Sequence, residues 1–149
     1  MKIRFIYEHS SLAVWETGFV RSSGSLYAHG LNKQGYTNNG QIIGAGIGPG
    51  STADYLNISI LSEKSTLSLE YQRIRFNDDY FFRTFTSRIE TKPHDLEHQF
   101  GIIYDIKRSK VDLRFGIFQS LRYSYLFRDG IEGSEIFNSQ ANFTIKYKL

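Results

Sequence analysis

Apolar and polar residues alternate through two consecutive stretches of the chain, and this alternation is the strongest signal in the sequence. In residues 96–107, one face carries Leu96, His98, Phe100, Ile102, Tyr104 and Ile106. After a tight turn, the same face continues with Val111, Leu113, Phe115, Ile117, Leu121, Tyr123, Tyr125 and Phe127. Because successive side chains leave opposite faces of a strand, a period of two predicts a long β-hairpin over residues 96–127.

The length of this hairpin points to a particular class of β-protein. Strands of soluble proteins usually have about 5–6 residues, whereas a tilted strand that crosses a bilayer needs about 9–11. Both arms reach the longer figure, and Tyr and Phe lie near the ends of the apolar face, as in an aromatic girdle. The opposite face carries Arg, Asp, Glu and Lys, which suit a wet interior. The pattern favours a membrane barrel, with a soluble antiparallel sheet as the alternative.

Shorter alternating stretches extend the predicted sheet along the chain. Strands are predicted at residues 2–8, 41–48, 55–61, 66–76 and 141–149, with a weaker strand at residues 13–21 and no helix. Short turns at residues 63–65 and 108–110 alternate with long loops at residues 77–95 and 128–140, as in bacterial outer-membrane barrels. We therefore predict an all-β fold with about 7–8 strands in this chain. It would be an antiparallel up-and-down transmembrane β-barrel or the C-terminal segment of a larger barrel.

Composition agrees with a β-fold and excludes several kinds of chemistry. The 149 residues correspond to one barrel domain, residues 1–149, or to a piece of a larger one. The chain has no Cys, which excludes disulfides and thiolate sites. A net charge of +3, dispersed among aromatic residues, does not indicate nucleic-acid binding. The first residues lack the features of a signal peptide, so we expect either a signal lost earlier or a fragment of a larger protein.

No residue pattern predicts catalysis, a metal site or a cofactor. Metal-ligand spacing is lacking among the four histidines, His9, His29, His94 and His98. Residues 44–50 are glycine-rich like a phosphate loop, but Pro49 replaces the third glycine and no helix pattern follows. A tight strand end is the better interpretation of that stretch. We expect a protein that is not an enzyme and that needs no cofactor.

Arginines in the predicted loops are the candidate polysaccharide-binding residues. Arg83 and Arg88 lie in an aromatic stretch at residues 80–88, where rings could stack on sugars and guanidinium groups could bind acidic groups. Arg128 lies at the start of the next long loop. The alternative is that the aromatic residues only form the upper girdle and pack the loop.

Arg128 also continues a line of arginines, with Arg114 and Arg122, along the polar face of one strand. Such a line would form a basic track for an acidic polymer. The alternative interpretation is that these arginines pair with acidic residues of neighbouring strands, namely Glu97, Asp105 or Glu70. We favour pairing for Arg114 and Arg122, and leave both interpretations open for Arg128.

A family resemblance is carried by His29-Gly30 and by the run Gly35-Tyr36-Thr37-Asn38-Asn39-Gly40-Gln41-Ile42-Ile43-Gly44-Ala45-Gly46-Ile47-Gly48-Pro49-Gly50-Ser51. Together with Tyr71, Arg73 and Asp78-Asp79-Tyr80, this run resembles the C-terminal portion of the Wzi capsule-assembly family of outer-membrane proteins, particularly Bacteroidetes-like members. The resemblance covers residues 27–149. Because the family's barrel is much larger than this chain, the resemblance implies a C-terminal part of such a protein.

The resemblance implies a non-catalytic β-barrel of the bacterial outer membrane that helps to assemble capsular or exopolysaccharide or to attach it to the surface. Its partners would be that polysaccharide and outer-membrane lipid, and not nucleic acid. Two alternatives stay open. One is a small eight-stranded outer-membrane barrel with an adhesive or structural role, and the other is a soluble lipocalin-like barrel that binds a small apolar ligand. In a lipocalin-like barrel the aromatic face points inward, so the orientation of the two faces discriminates between them.

Overall fold

A six-stranded antiparallel sheet forms most of the chain in a computed structural model, which describes residues 1–13, 37–38, 41–42, 46–85 and 93–148. The elements are β1 (Lys2–Ser11), β2 (Thr37–Asn38), β3 (Gln41–Ile42), β4 (Thr52–Leu61), β5 (Ser65–Arg75), α1 (Asp78–Phe85), β6 (Leu96–Lys107), β7 (Val111–Tyr123), a 3-10 turn (Tyr125–Phe127) and β8 (Ile136–Tyr147). The strand order of the large sheet is β1-β4-β5-β6-β7-β8, and β2 with β3 forms a separate two-stranded sheet. From β4 onward, each strand lies beside the strand that precedes it in the chain, so the all-β, up-and-down prediction is confirmed.

The strands of the large sheet are long and continuously paired. Each of the six has 10 to 13 residues, about twice the usual strand length of soluble proteins. β1 pairs with β4 from Lys2–Leu61 to Ser11–Thr52 without a bulge. The short turns predicted at residues 63–65 and 108–110 do join β4 to β5 and β6 to β7. The predicted alternation of short and long connections is therefore present.

The register gathers apolar residues from all six strands on one face of the sheet, which we call the apolar face. One row of directly paired neighbours is Phe5, Ile58, Leu69, Ile102, Ile117 and Ala141. The next row is Ile3, Ile60, Leu67, Tyr104, Phe115 and Phe143. These side chains are exposed, for example Phe5 at 65% and Ile117 at 62%. Among the described apolar residues only Ala53 and Phe81 are buried, so in this part of the chain nothing covers the apolar face.

The polar face lines the concave side of the sheet. A cavity of ≈ 580 Å³ is bordered by residues of every strand in the sheet, including Arg4 on β1 and Lys146 on β8. A flat six-stranded sheet would hold its edge strands about 24 Å apart. Because one cavity touches both edge strands, the sheet must curl strongly around its polar face, and the apolar face lies on the outside. β1 and β8 stay the two open edges of the sheet in the described chain.

Predicted strand boundaries were wrong at the glycine-rich stretch, at the end of β7 and at the start of β8. Within residues 41–48, Gln41–Ile42 is a strand, and the described residues 46–50 form turns in which Gly48 and Gly50 have φ of 80° and 68°. At the end of β7, Ser124 has φ of 54°, which takes the chain out of the extended conformation before Tyr125–Phe127. β8 begins at Ile136, earlier than the predicted start at residue 141. The predicted strand at residues 13–21 lies outside the described residues after residue 13.

A helix forms where the sequence predicts only a loop. α1 has 8 residues and carries Asp78 and Asp79 in its first turn, where carboxylates interact favourably with the helix dipole. Two turns are too short for a helical period to stand out from the sequence, and a helix of this length depends on tertiary contacts for its stability. The prediction of a long loop over residues 77–95 is therefore corrected for residues 78–85, which form a helix.

One aromatic residue points to the polar face and fits against two glycines. Phe118 is the direct partner of Gly101, and a Cβ atom added to Gly101 would lie 2.6 Å from Phe118 Cδ1. A Cβ atom added to Gly116 would lie 3.0 Å from Phe118 Cε2. The ring thus lies flat along the sheet over two backbones that have no side chain, which is how an aromatic residue compensates for glycine in a strand.

We expect Gly101→Ala to destabilise the fold by about 1–3 kcal/mol, because the new methyl group overlaps the Phe118 ring. In a Phe118→Ala background the same change should cost less, because the overlap is gone. Gly46→Ala is the matched control, since a Cβ atom there meets nothing within 4 Å. Urea unfolding followed by far-UV circular dichroism is measured for the wild type, the three single variants and the double variant. Equal costs of Gly101→Ala in both backgrounds would contradict the packing described.

Candidate functional site

The long connections converge at one end of the sheet, which we call the loop end. The pairs Thr52–Arg75 and Leu96–Tyr123 place the ends of β4, β5, β6 and β7 side by side there. Above them, α1 contacts the 3-10 turn, because the ring centroid of Phe127 lies 5.6 Å from that of Tyr80 and 5.8 Å from that of Phe81. The connection between β5 and β6 therefore packs against the connection between β7 and β8.

Asp78 fixes the start of α1 and is 1% exposed. Its Oδ2 accepts a hydrogen bond from Arg75 Nε at 2.5 Å, and its backbone N–H donates to the carbonyl of Gly50 at 2.6 Å. His94 Nδ1 lies 3.3 Å from Asp78 Oδ1, and the His94 ring stacks at 3.8 Å on Phe81. The Asp78 carboxylate thus joins the helix to β5 and lies against the segment before β6, while the Asp78 backbone N–H joins the helix to the turn before β4.

Asp95 anchors the 3-10 turn as Asp78 anchors α1, and its side chain is 2% exposed. Arg122 donates to its two oxygens at 2.6 and 2.9 Å, and the backbone N–H of Leu126 donates to Oδ2 at 2.9 Å. The guanidinium group also lies 3.7 Å from the ring centroid of Phe76 and 4.7 Å from that of Tyr125. A bidentate pair that is also stacked between two rings holds its geometry firmly.

Two of the three candidate binding arginines, Arg83 and Arg128, lie in described connections of the loop end. Arg83 lies on α1, although its side chain is outside the described part, and Arg88 is outside the described residues. Arg128 follows the 3-10 turn directly and is exposed. The contact of Phe127 with α1 brings the segments that carry Arg83 and Arg128 together.

A basic track along β7 does not form, because two of its three arginines are held by acidic residues. Arg114 donates to Asp105 at 2.6 and 3.2 Å, which confirms one of the expected pairings. Arg122 is paired as well, but with Asp95 and not with any of the three acids expected from the sequence. For Arg128, a role in polysaccharide binding therefore stays a prediction.

The concave face carries a buried hydrogen-bonded network on β4 and β5. Ser59, Asn57 and Ser68 are 0%, 4% and 6% exposed. Ser59 Oγ donates to Asn57 Oδ1 at 2.6 Å and lies 2.9 Å from Ser68 Oγ. Glu70 accepts from the Tyr55 hydroxyl at 2.7 Å and from Asn57 Nδ2 at 3.0 Å. The polar groups of β4 and β5 on the concave face are therefore hydrogen-bonded to one another.

A polar rim ends the apolar face on the side of the loops. Asp54 accepts hydrogen bonds from Tyr7 at 3.0 Å and His9 at 2.8 Å, and its other oxygen pairs with Arg73 at 2.9 Å. His9, Asp54 and Arg73 belong to one row of the sheet, which continues with His98 on β6. Tyr7 lies in the adjacent row. The apolar face therefore ends in charged groups on β1, β4 and β5, whereas the same row continues with Leu121 on β7 and Phe137 on β8.

Neither a metal centre nor a known relative identifies the site. Among the described residues, no three His, Cys, Asp or Glu side chains are grouped so that they could hold a metal ion. No helix in the described ranges is long and apolar enough to cross a membrane. No protein-family model, curated protein or solved structure matches the chain. The function is therefore argued from the two faces of the sheet and from the loop end.

Arg122→Gln should cost about 3–5 kcal/mol in the free energy of unfolding, because it leaves the Asp95 carboxylate buried without its cation. Arg114→Gln is the matched control on the same strand, and there the side chains of Arg114 and Asp105 are 58% and 21% exposed. That change should cost about 0–1 kcal/mol. Urea unfolding of both variants measures the difference. Equal costs would show that the Asp95 pair does not anchor the loop end.

Proposed function

We propose that this chain forms part of the wall of an outer-membrane β-barrel, with its apolar face toward lipid. The observation that carries the proposal is the uncovered apolar face across six long strands, on which Ile102, Ile117 and Ile145 are 55%, 62% and 60% exposed. Soluble monomers rarely expose a contiguous apolar patch larger than about 300–600 Å². Hydrocarbon is the solvent in which such a face is stable, and the polar concave face then borders a wet interior.

The distribution of aromatic residues supports the same orientation. Tyr7, Tyr71 and Phe100 lie in one row directly below the polar rim. Tyr147 lies at the opposite end of the sheet, beside Val111. Amphipathic rings at both borders of an apolar band are typical of proteins at the membrane–water interface. The lipocalin-like alternative has less support, because it needs these rings on the inner side.

We further propose a non-catalytic role in which the loop end holds acidic capsular or exopolysaccharide at the cell surface. The support is the resemblance to the Wzi family, together with the packing of α1 against the turn that precedes Arg128. Guanidinium groups bind carboxylates in a bidentate manner, and exposed rings provide stacking surfaces for sugars. Tyr80 and Phe82 on α1 are 49% and 48% exposed.

Insertion can be tested with a charge at the centre of the apolar face. Ile102→Arg should abolish recovery from the outer membrane, because an arginine that faces lipid at mid-depth costs about 2–4 kcal/mol. If the face were exposed to water, the same change would alter stability by only about 0.5 kcal/mol. Glu63→Arg, in the turn between β4 and β5, is the control and should insert normally. Membrane fractionation of the full-length protein gives the result, and normal insertion of Ile102→Arg would refute the lipid-facing orientation.

Replacement of Arg83, Arg88 and Arg128 together by Ala tests the binding role. In a full-length protein that still inserts, we expect binding of the purified acidic polymer to weaken by about tenfold or more, since each lost charge-assisted hydrogen bond contributes about 1.5–3 kcal/mol. Retention of polysaccharide on the cell surface should fall in parallel. A matched variant removes three cations at the short turns, Lys64, Arg108 and Lys110, and should bind normally. Unchanged binding by the loop-end variant would refute the role of these arginines.

A further inference from the structure

We infer that the concave face carries a second binding site, in which Arg4, Lys107 and Lys146 take the carboxylate group of an acidic saccharide. All three side chains border the ≈ 580 Å³ cavity, which lies toward the short turns and not at the loop end. The site deepens the proposed function, and it rests on that function only for the source of the saccharide.

The acidic residues of the cavity are already engaged. Asp105 accepts the bidentate pair of hydrogen bonds from Arg114. Asp112 accepts from Lys148 Nζ at 2.8 Å. Glu70 accepts from a tyrosine hydroxyl and an asparagine amide of β4, as described above. Two of the three carboxylates that border the cavity, Asp105 and Asp112, are therefore paired with a cation, whereas Glu70 keeps its negative charge.

The three remaining cations of the cavity have no such partner. Within the described ranges, no carboxylate lies within 4.0 Å of the charged groups of Arg4, Lys107 or Lys146. The guanidinium group of Arg4 makes one long hydrogen bond, to Ser59 Oγ at 3.4 Å. Three unpaired cations outnumber the one carboxylate of the cavity that has no cation partner, Glu70, and an incoming anion can neutralise this excess of positive charge.

The curvature of the sheet is what turns these cations into one site. Arg4 belongs to the edge strand β1 and Lys146 to the other edge strand, β8, so only the curl of the sheet lets them border the same space. Cavities of about 300–1,000 Å³ are of a size that binds small ligands. A lipid headgroup fits less well, because the apolar face is on the opposite side of the sheet.

The experiment measures binding of trigalacturonate to the full chain in detergent micelles by isothermal titration calorimetry, with neutral maltotriose as the reference ligand. We expect trigalacturonate to bind, maltotriose to bind more weakly, and affinity for trigalacturonate to fall as salt is added. The double variant Arg4→Gln, Lys146→Gln should weaken binding by about tenfold or more. Lys64→Gln removes a charge from an exposed turn outside the cavity and should leave binding unchanged. Lys146→Arg keeps the charge and should retain most of the affinity.

Three results would overturn the inference: equal binding of maltotriose, unchanged binding by the double variant, or an equal loss in Lys64→Gln. Circular dichroism and the unfolding midpoint are measured for each variant, so that loss of binding is scored only in folded protein. The outcome is separable from that of the proposed function. Loss of polymer retention in the loop-end variant, with unchanged trigalacturonate binding by the cavity variant, would sink the inference and leave the proposed function standing.

Discussion

The whole structure depends on six strands that keep one register, so that the apolar side chains of each strand lie beside those of the next. Leu69 pairs with Ile58 on one side and with Ile102 on the other, and Ile102 pairs in turn with Ile117. A slip of one residue in any of these pairs would turn one strand's apolar set toward the concave side. Short turns fix two of the pairings, and strands of ten or more residues make each slip costly in backbone hydrogen bonds.

Because the apolar residues lie outside, the interior is stabilised by polar contacts and not by an apolar core. The most buried side chains of the described chain include Ser59, Asp78 and Asp95, and each has at least one hydrogen-bond or ion-pair partner. A buried polar group without a partner costs about 1–3 kcal/mol, and more when it is charged. At the loop end, the buried carboxylates of Asp78 and Asp95 are each held by an arginine. These contacts explain why α1 can form with only 8 residues.

The sequence alone was sufficient to predict most strands of the large sheet, but it was not sufficient to predict the contacts between distant segments. A period of two identified β1, β4, β5, β6 and β7 closely, because alternation is a local property of the chain. It could not place α1, whose two turns are stabilised by Gly50 and His94 from other segments. It identified Arg122 as paired but not its partner Asp95, which lies in a loop and not on the neighbouring strand. Arg4 and Lys146 lie on the two edge strands, and only the curvature of the sheet brings them to one cavity.

The two open edges of the sheet explain why the proposed membrane location requires a closed barrel. Successive strands alternate in direction across the sheet, so β1 and β8 run in opposite directions. In hydrocarbon, an unpaired strand edge exposes backbone N–H and C=O groups at a cost of several kcal/mol for each. Insertion therefore requires that both edges be paired. Since the two edge strands are antiparallel, strands that close the wall in an up-and-down manner must be even in number, which agrees with the even strand counts of bacterial outer-membrane barrels.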